Sequence, residues 1–337
     1  MLQYSTIFSA LIIILLGIAP ISAYSRNNII NAMKNDSLQV VVSSLQVVVS
    51  RTVTVDKSGQ GNFTTVQQAI DSVPNNNQFS EKVTIQQDKQ FIILEGESSH
   101  TTVISWEAGG NVVDSSTFTM LADNFVARDI AFKEVKHTMT WAPAALVAAD
   151  KVSFYRCGFI SLQDTLFDAQ GRHYFRSCYI EGAVDFIWGN AQSFFQGCNI
   201  NVTASQLGQG RVGYITAQGR ESDTESSGFV FHTSSVIGTG PVFLGRAYRN
   251  HSRVVYYKTH MDGIVTPQGW DAWFNAGHED LLTYVEVGCS GAGSDQSNRV
   301  KWEKQLPYQE LRNLIHANRF LNHDKWIEKQ PSYLGPY

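Results

Sequence analysis

A solenoid of parallel β-strands with short helices at its ends is the fold class this sequence predicts. The first observation is a phrase written three times between Val152 and Thr203: SFYRCGFISLQDTLFDAQG, YFRSCYIEGAVDFIWGNAQ and FFQGCNINVTA. Its cysteines, Cys157, Cys178 and Cys198, lie 21 and 20 residues apart, each preceded by an aromatic pair and followed two positions on by Phe159, Ile180 or Ile200. A fixed period of about 20 residues, rich in β-formers, marks units that stack to bury one shared core. The second observation is that short β runs and polar turns also alternate from Val83 to Phe132 (KVTI, FIILEG, TVIS, STFTML, NFVARDIAF), reading as earlier turns of the same coil. Third, GFVFHTSSVIG at Gly228–Gly238 repeats the phrase with Ser234 in the cysteine's place.

Taken from the start, residues 1–23 carry an apolar run from Leu11 to Ile18 and a small-residue site around Ser22–Ala23. The run is too short to span a bilayer and suits a cleaved signal peptide, although the Lys or Arg usual before such a run is missing. Residues 24–50 form a leader of unknown structure, in which SLQVVVS occurs twice in tandem at Ser37–Ser43 and Ser44–Ser50. The remainder, 51–337, reads as one elongated β-helix domain, because only 8 prolines in 337 residues interrupt its β character. In FTTVQQAIDSVP, Phe63, Val66, Ile70 and Val73 sit at helical spacing before Pro74, which predicts a cap for the raw end of a solenoid. The irregular stretch from Glu134 to Trp141 predicts a loop walling a groove. At the other end, Leu311, Leu314 and Ile315 predict a helix that covers the far end of the coil.

Composition narrows the function. The formal net charge of −4 argues against bulk electrostatic binding to nucleic acid, and no later stretch is apolar enough to cross a membrane. Four cysteines allow three disulfide connectivities in an oxidising compartment, but three at one solenoid position are expected to stack inward as small buried thiols. Nine histidines show no metal-ligand spacing, so neither metal nor cofactor is expected. Neither a phosphate-binding glycine loop nor a GxSxG elbow is present. Asn-X-Ser/Thr triplets at Asn35, Asn62, Asn201 and Asn250 agree with secretion.

The chemistry is expected in the repeat. Asp164 lies seven residues after Cys157, and Asp185 lies seven after Cys178, so both acids occupy one position on successive turns. Equivalent positions on neighbouring strands stack about 4.8 Å apart. At that separation one carboxyl keeps its proton while the other ionises, which pairs an acid with a nucleophile. Arg246, between Gly245 and Ala247, supplies a guanidinium able to hold a carboxylate ionised, and Trp188, Tyr248, Trp270 and Trp273 are candidate sugar-stacking surfaces.

The segments GRHYFRSCYIEGAVDFIWGN, SLQDTLFD, ITAQGR, FLGRAYRNHSRVV and GWDAW, spread in order over Val53 to Trp326, resemble the plant pectinesterases (pectin methylesterases). The resemblance implies a right-handed parallel β-helix, the family type without an inhibitor-like pro-domain, and removal of methyl esters from cell-wall pectin by a secreted monomer. By it Asp185 is the nucleophile, Asp164 the acid and then base, Gln163 an oxyanion donor and Arg246 the holder of the nucleophile. Trp188, Tyr248 and Trp270 match substrate-contacting aromatics, and a proteinaceous inhibitor enters as a possible partner. Trp141 departs from the pattern, standing where the family carries a second oxyanion glutamine; its indole, His137 or Thr140 would have to substitute. Reduced activity is therefore expected. Two alternatives stand beside this: a catalytically impaired pectin-binding protein, and a polygalacturonase-type glycosidase, whose retaining mechanism also uses two carboxyls about 5–5.5 Å apart. The acid clusters and GHG-type histidine motif of polygalacturonases are missing from the sequence.

Overall fold

The computed structural model describes residues 12–17, 49–55, 59–71, 82–107, 110, 112–135 and 141–330. Most of the tandem SLQVVVS phrase, the site around Ser22–Ala23, and Asn35, Val73, His137 and Thr140 lie outside them.

The chain winds through three long sheets of 10, 8 and 7 strands. Within the apolar run expected in the signal peptide, Ile12–Gly17 pairs antiparallel with Val49–Val55 and with Ile92–Glu95. Every other pairing among the described strands is parallel, each strand lying beside its counterpart one coil later. This is the predicted parallel β-helix, and period-2 alternation of side chains decides what it encloses. Phe154, Phe175, Phe195, Phe231 and Tyr256 point inward on successive turns, their rings stacked 4.5–5.1 Å apart and within 9–11° of parallel. Buried side chains of this size dominate core energetics, and offset stacking adds roughly 0.5–1.5 kcal/mol per pair.

The cysteines form the expected inward file, and the file is longer than the sequence shows. Cys157, Cys178, Cys198, Ser234, Thr259 and Cys289 each follow the end of a strand in the ten-stranded sheet by two residues. From Cys178 onward each side chain donates to a carbonyl of the preceding turn: to Phe154 (3.4 Å), Phe175 (3.6 Å), Phe195 (3.2 Å), Phe231 (3.4 Å) and Tyr256 (3.5 Å). All four thiols are free. The residue just before each has a left-handed backbone: Arg156, Ser177, Thr233 and Lys258 at φ 50–54°, and glycine at Gly197 and Gly288. One sharp corner is thus repeated on every turn.

The helix Val66–Asp71 buries Val66, Ala69 and Ile70 at the N-terminal end, as predicted. The C-terminal helices differ from expectation. Tyr308–Leu314, Ala317–Phe320 and Trp326–Lys329 lie along the flank of the coil, on the outer face of the ten-stranded sheet, rather than over its end. The physical reason is an apolar stripe running across the outside of successive turns: Ile93, Val126, Tyr174, Phe194, Val230, Val255 and Val285. Polar ties fasten the helices there. Gln330 accepts from Ser153 Oγ and donates to the Lys151 carbonyl, both at 2.5 Å; Arg172 reaches Asp324 at 2.9 Å, and Gln192 reaches the Phe320 carbonyl at 2.5 Å.

Candidate active site

Asp164 and Asp185 each lie two residues before a strand of the eight-stranded sheet, Leu166–Gln170 and Ile187–Gly189. Leu166 pairs with Ile187 and Gln163 bridges Val184, while the Asp164 amide donates to the Val184 carbonyl at 3.1 Å. The acids therefore sit at one register position on adjacent turns. Both adopt left-handed backbone, φ 57° and 47°, a conformation that Asp tolerates better than most residues and that clusters at functional sites. Only 6% and 8% of their surfaces remain exposed, which leaves two carboxyls with little water.

Arg246 arrives two turns further on. Its Nε donates to Asp185 Oδ1 at 2.7 Å and its Nη2 to Oδ2, making a two-bonded fork. Gly245 allows this approach, because a Cβ there would lie 2.1 Å from Thr216 Oγ1 and 3.3 Å from the Trp270 ring. The guanidinium lies between two aromatic rings, its carbon 4.2 Å from the centre of Tyr214 and 3.8 Å from that of Trp273. Cation–π contacts of this kind strengthen as water is excluded.

Charge divides the pair. Burial, then the neighbouring Asp185, pushes Asp164 up to about 8, against the opposing pull of Arg246 and of a hydrogen bond with Gln163. Burial also raises Asp185, but there the two bonds and the charge of Arg246 oppose it directly. The first proton is thus held on Asp164, and Asp185 is the carboxyl favoured as an anion.

Around the acids, Trp188 stacks on Phe167 at 3.8 Å with 4° between the rings, Tyr248 meets Trp188 edge-on at 6.3 Å, and Trp273 follows at 6.0 Å. Trp270 corrects the sequence reading: it is 1% exposed, stacked 4.5 Å from Tyr284 inside the coil, and cannot meet a saccharide. Strand alternation turns Trp270 inward with Gly245, and it sets Asp271 beside Arg246. The aromatic at the site is Trp273, three residues later. Trp141 is 56% exposed, one turn before Leu162, so its indole stands largely in solvent and is not packed over the acids. Sequence reasoning misses Tyr214 and Asp271. Tyr214 follows Asp185 on the next turn, where Thr216 pairs with Ile187, and this register is hidden by the 29-residue lap between them.

A second polar group lies beneath the site. Asp168 binds His173 Nδ1 at 2.5 Å and accepts from Ser193 Oγ, and all three residues are fully buried. The serine bonds the carboxylate rather than the imidazole, so this is a brace between turns and not a nucleophilic triad. A cleft of about 500 Å³ lined by Arg172, Asn190, Gln192, Ser227, Phe320 and His323 lies where the C-terminal helices meet the coil, and neither acid lines it.

A family model described as Pectinesterase matches residues 52–328. Among curated proteins, probable pectinesterase 29 of Arabidopsis thaliana is 44% identical over 305 residues, covering 84% of this chain and 91% of its own. Probable pectinesterase 55 of the same plant is 44% identical over 300 residues, covering 83% and 91%. Among solved structures, pectin methylesterase from carrot superposes with a TM-score of 0.76 at 27% identity, covering 83% of this chain and 95% of that one. The Aspergillus niger pectin methylesterase gives 0.70 at 26%, covering 82% and 95%.

Proposed function

This chain belongs to the pectinesterase family of carboxylic-ester hydrolases, and we propose that it removes methyl esters from cell-wall homogalacturonan through an acyl-enzyme on Asp185. One observation carries the reading: a carboxylate forked by Arg246 lies one turn from a carboxyl whose proton is retained up to about 8.

The proposed steps follow from those two environments. An Asp185 oxygen attacks the ester carbonyl carbon, and the Gln163 amide donates to the oxyanion that forms. The carbon–methoxy bond then breaks as Asp164 delivers its proton, releasing methanol and leaving galacturonate joined to Asp185 as an anhydride. Asp164, now a carboxylate, takes a proton from water as the water attacks this acyl group. Galacturonate leaves with a free carboxyl, and both acids return to their starting states. Trp188 and Tyr248 form an aromatic surface suited to sugar faces. The same reading places the protein outside the cell, where its polymer is, after removal of the apolar N-terminal segment.

Trp141 sets the expected rate. Loss of one oxyanion donor costs about 10²–10³ in turnover, and a 56% exposed indole leaves Gln163 with little help. The purified protein is expected to release methanol from methylated pectin slowly, without creating new reducing ends, and Trp141→Gln is expected to release it faster. New reducing ends would indicate a glycosidase. No release from the parent and strong release from Trp141→Gln would make the natural chain a pectin-binding relative that does not turn over.

A further inference from the structure

We propose that Asp271 is a positioning residue for this hydrolysis, fixing both aromatic faces that clamp Arg246 and, through them, the fork on Asp185. The inference rests on the function assigned above. One Asp271 oxygen, Oδ2, accepts from the Tyr214 hydroxyl at 3.2 Å, and the other, Oδ1, accepts from the Trp273 backbone N–H at 2.8 Å. Those are the two rings that sandwich the guanidinium, at 4.2 and 3.8 Å. A single carboxylate therefore spans the sandwich, and the register places it beside Arg246 on the adjoining turn.

Backbone strain points to the same residue. Trp273 has φ 47°, a left-handed conformation that a bulky side chain adopts only when its surroundings enforce it. The Asp271 bond to the Trp273 amide is such a constraint, with a second anchor where Asn275 Nδ2 donates to the Ala247 carbonyl at 2.7 Å. Arg has a long, rotatable stem, and a two-bonded fork needs its plane set. The rings set the plane, and Asp271 sets the rings.

The charge of Asp271 has a separate effect. The charged and titratable groups facing it are Arg246, Tyr214, Tyr284 and Asp185, with Asp164 one turn beyond Asp185. As an anion behind the guanidinium, Asp271 opposes the ionisation of Asp185. Position and charge are thus separable by substitution.

The test compares Asp271→Ala, Asp271→Asn and Tyr214→Phe with the parent, measuring methanol release from methylated pectin between pH 4.5 and 9, and crystal structures of the parent and Asp271→Ala. Asp271→Ala is expected to lose about 10- to 10²-fold in kcat with KM changed less than about three-fold, the scale set by a small misplacement of reacting groups. Asp271→Asn keeps an acceptor for the Trp273 amide, so it should hold kcat within about three-fold while the acid limb of the profile moves to lower pH. Tyr214→Phe retains the ring but drops one tie, giving a smaller loss with no shift of that limb. Parent-like kcat in Asp271→Ala would overturn the proposal, as would an unmoved limb in Asp271→Asn. So would an Asp271→Ala crystal structure that keeps Trp273 on Arg246 and both bonds to Asp185. A parent that releases no methanol would instead sink the assigned function, and the crystal comparison would still decide whether Asp271 positions the clamp.

Discussion

Removing the guanidinium of Arg246 is the most direct perturbation of the paired acids. In Arg246→Ala, Asp185, 8% exposed, loses a 2.7 Å bond from Nε, the bond from Nη2 and their shared charge. An uncompensated buried charge costs about 3–5 kcal/mol. At about 1.36 kcal/mol for each tenfold change in proton affinity, this lifts the pKa of the proposed nucleophile by roughly two to four. On the proposed mechanism Asp185 must be ionised to attack, so the acid limb of the pH–rate profile should move up by that amount. At a pH below both limbs, turnover should fall about 10²- to 10⁴-fold, a decade for every pH unit that the limb travels. Arg246→Lys keeps a positive charge but not the planar fork, and should fall between the two. The assay is methanol release from methylated pectin across pH 4.5–9, with thermal melts to show that each variant is folded. A rate loss equal at every pH, with the acid limb unmoved, would refute the argument that Arg246 acts by keeping Asp185 ionised.

Two further predictions concern stability. Asp164 keeps its proton in the fold up to about 8, against an ordinary value of 3.8; between those values the native state binds a proton that the unfolded chain has released, so stability falls as pH rises. The penalty is complete above about 8 and is of order 5 kcal/mol. Asp164→Asn should therefore abolish turnover yet melt above the parent at pH 8, with the gap closing toward pH 4; coincident melting curves at both pH values would refute this. In the inward file, Cys178→Ser should cost only about 1 kcal/mol, because a hydroxyl can donate to the Phe154 carbonyl as Ser234 does to Phe195. Phe195→Ala, which breaks the ring stack two contacts deep, should cost about 3–5 kcal/mol; denaturant titration of the two variants gives the comparison.

The coil and its paired acids were legible because Cys157, Cys178 and Cys198 keep nearly equal spacing, and an equal lap returns equivalent residues to one side. Legibility ends where the laps become uneven. Gln192 pairs with Gly228, Phe229 with Val254 and Val254 with Tyr284, laps of 36, 25 and 30 residues. Thr259 and Cys289 therefore join the file without any visible period, and Tyr214 and Asp271 join the site in the same way. Trp270 and Trp273 share one short motif, and only strand direction and the left-handed turn at Trp273 decide which faces the acids. The helical pattern from Leu311 was readable as a helix, but its destination depended on an outward apolar stripe assembled from distant turns.

The ties made by the last helices have a consequence for biosynthesis. Gln330 closes contacts with Ser153 and Lys151 that span 177 and 179 residues, and Asp324 does the same with Arg172 across 152. A chain emerging from the ribosome can wind its laps in order, but the apolar strip outside Tyr174 and Phe194 stays bare until the helices from Tyr308 onward have emerged. The laps bearing the two acids are thus among the last to be sheltered. A nascent chain stalled near residue 315 would present a greasy flank to chaperones even with its coil complete.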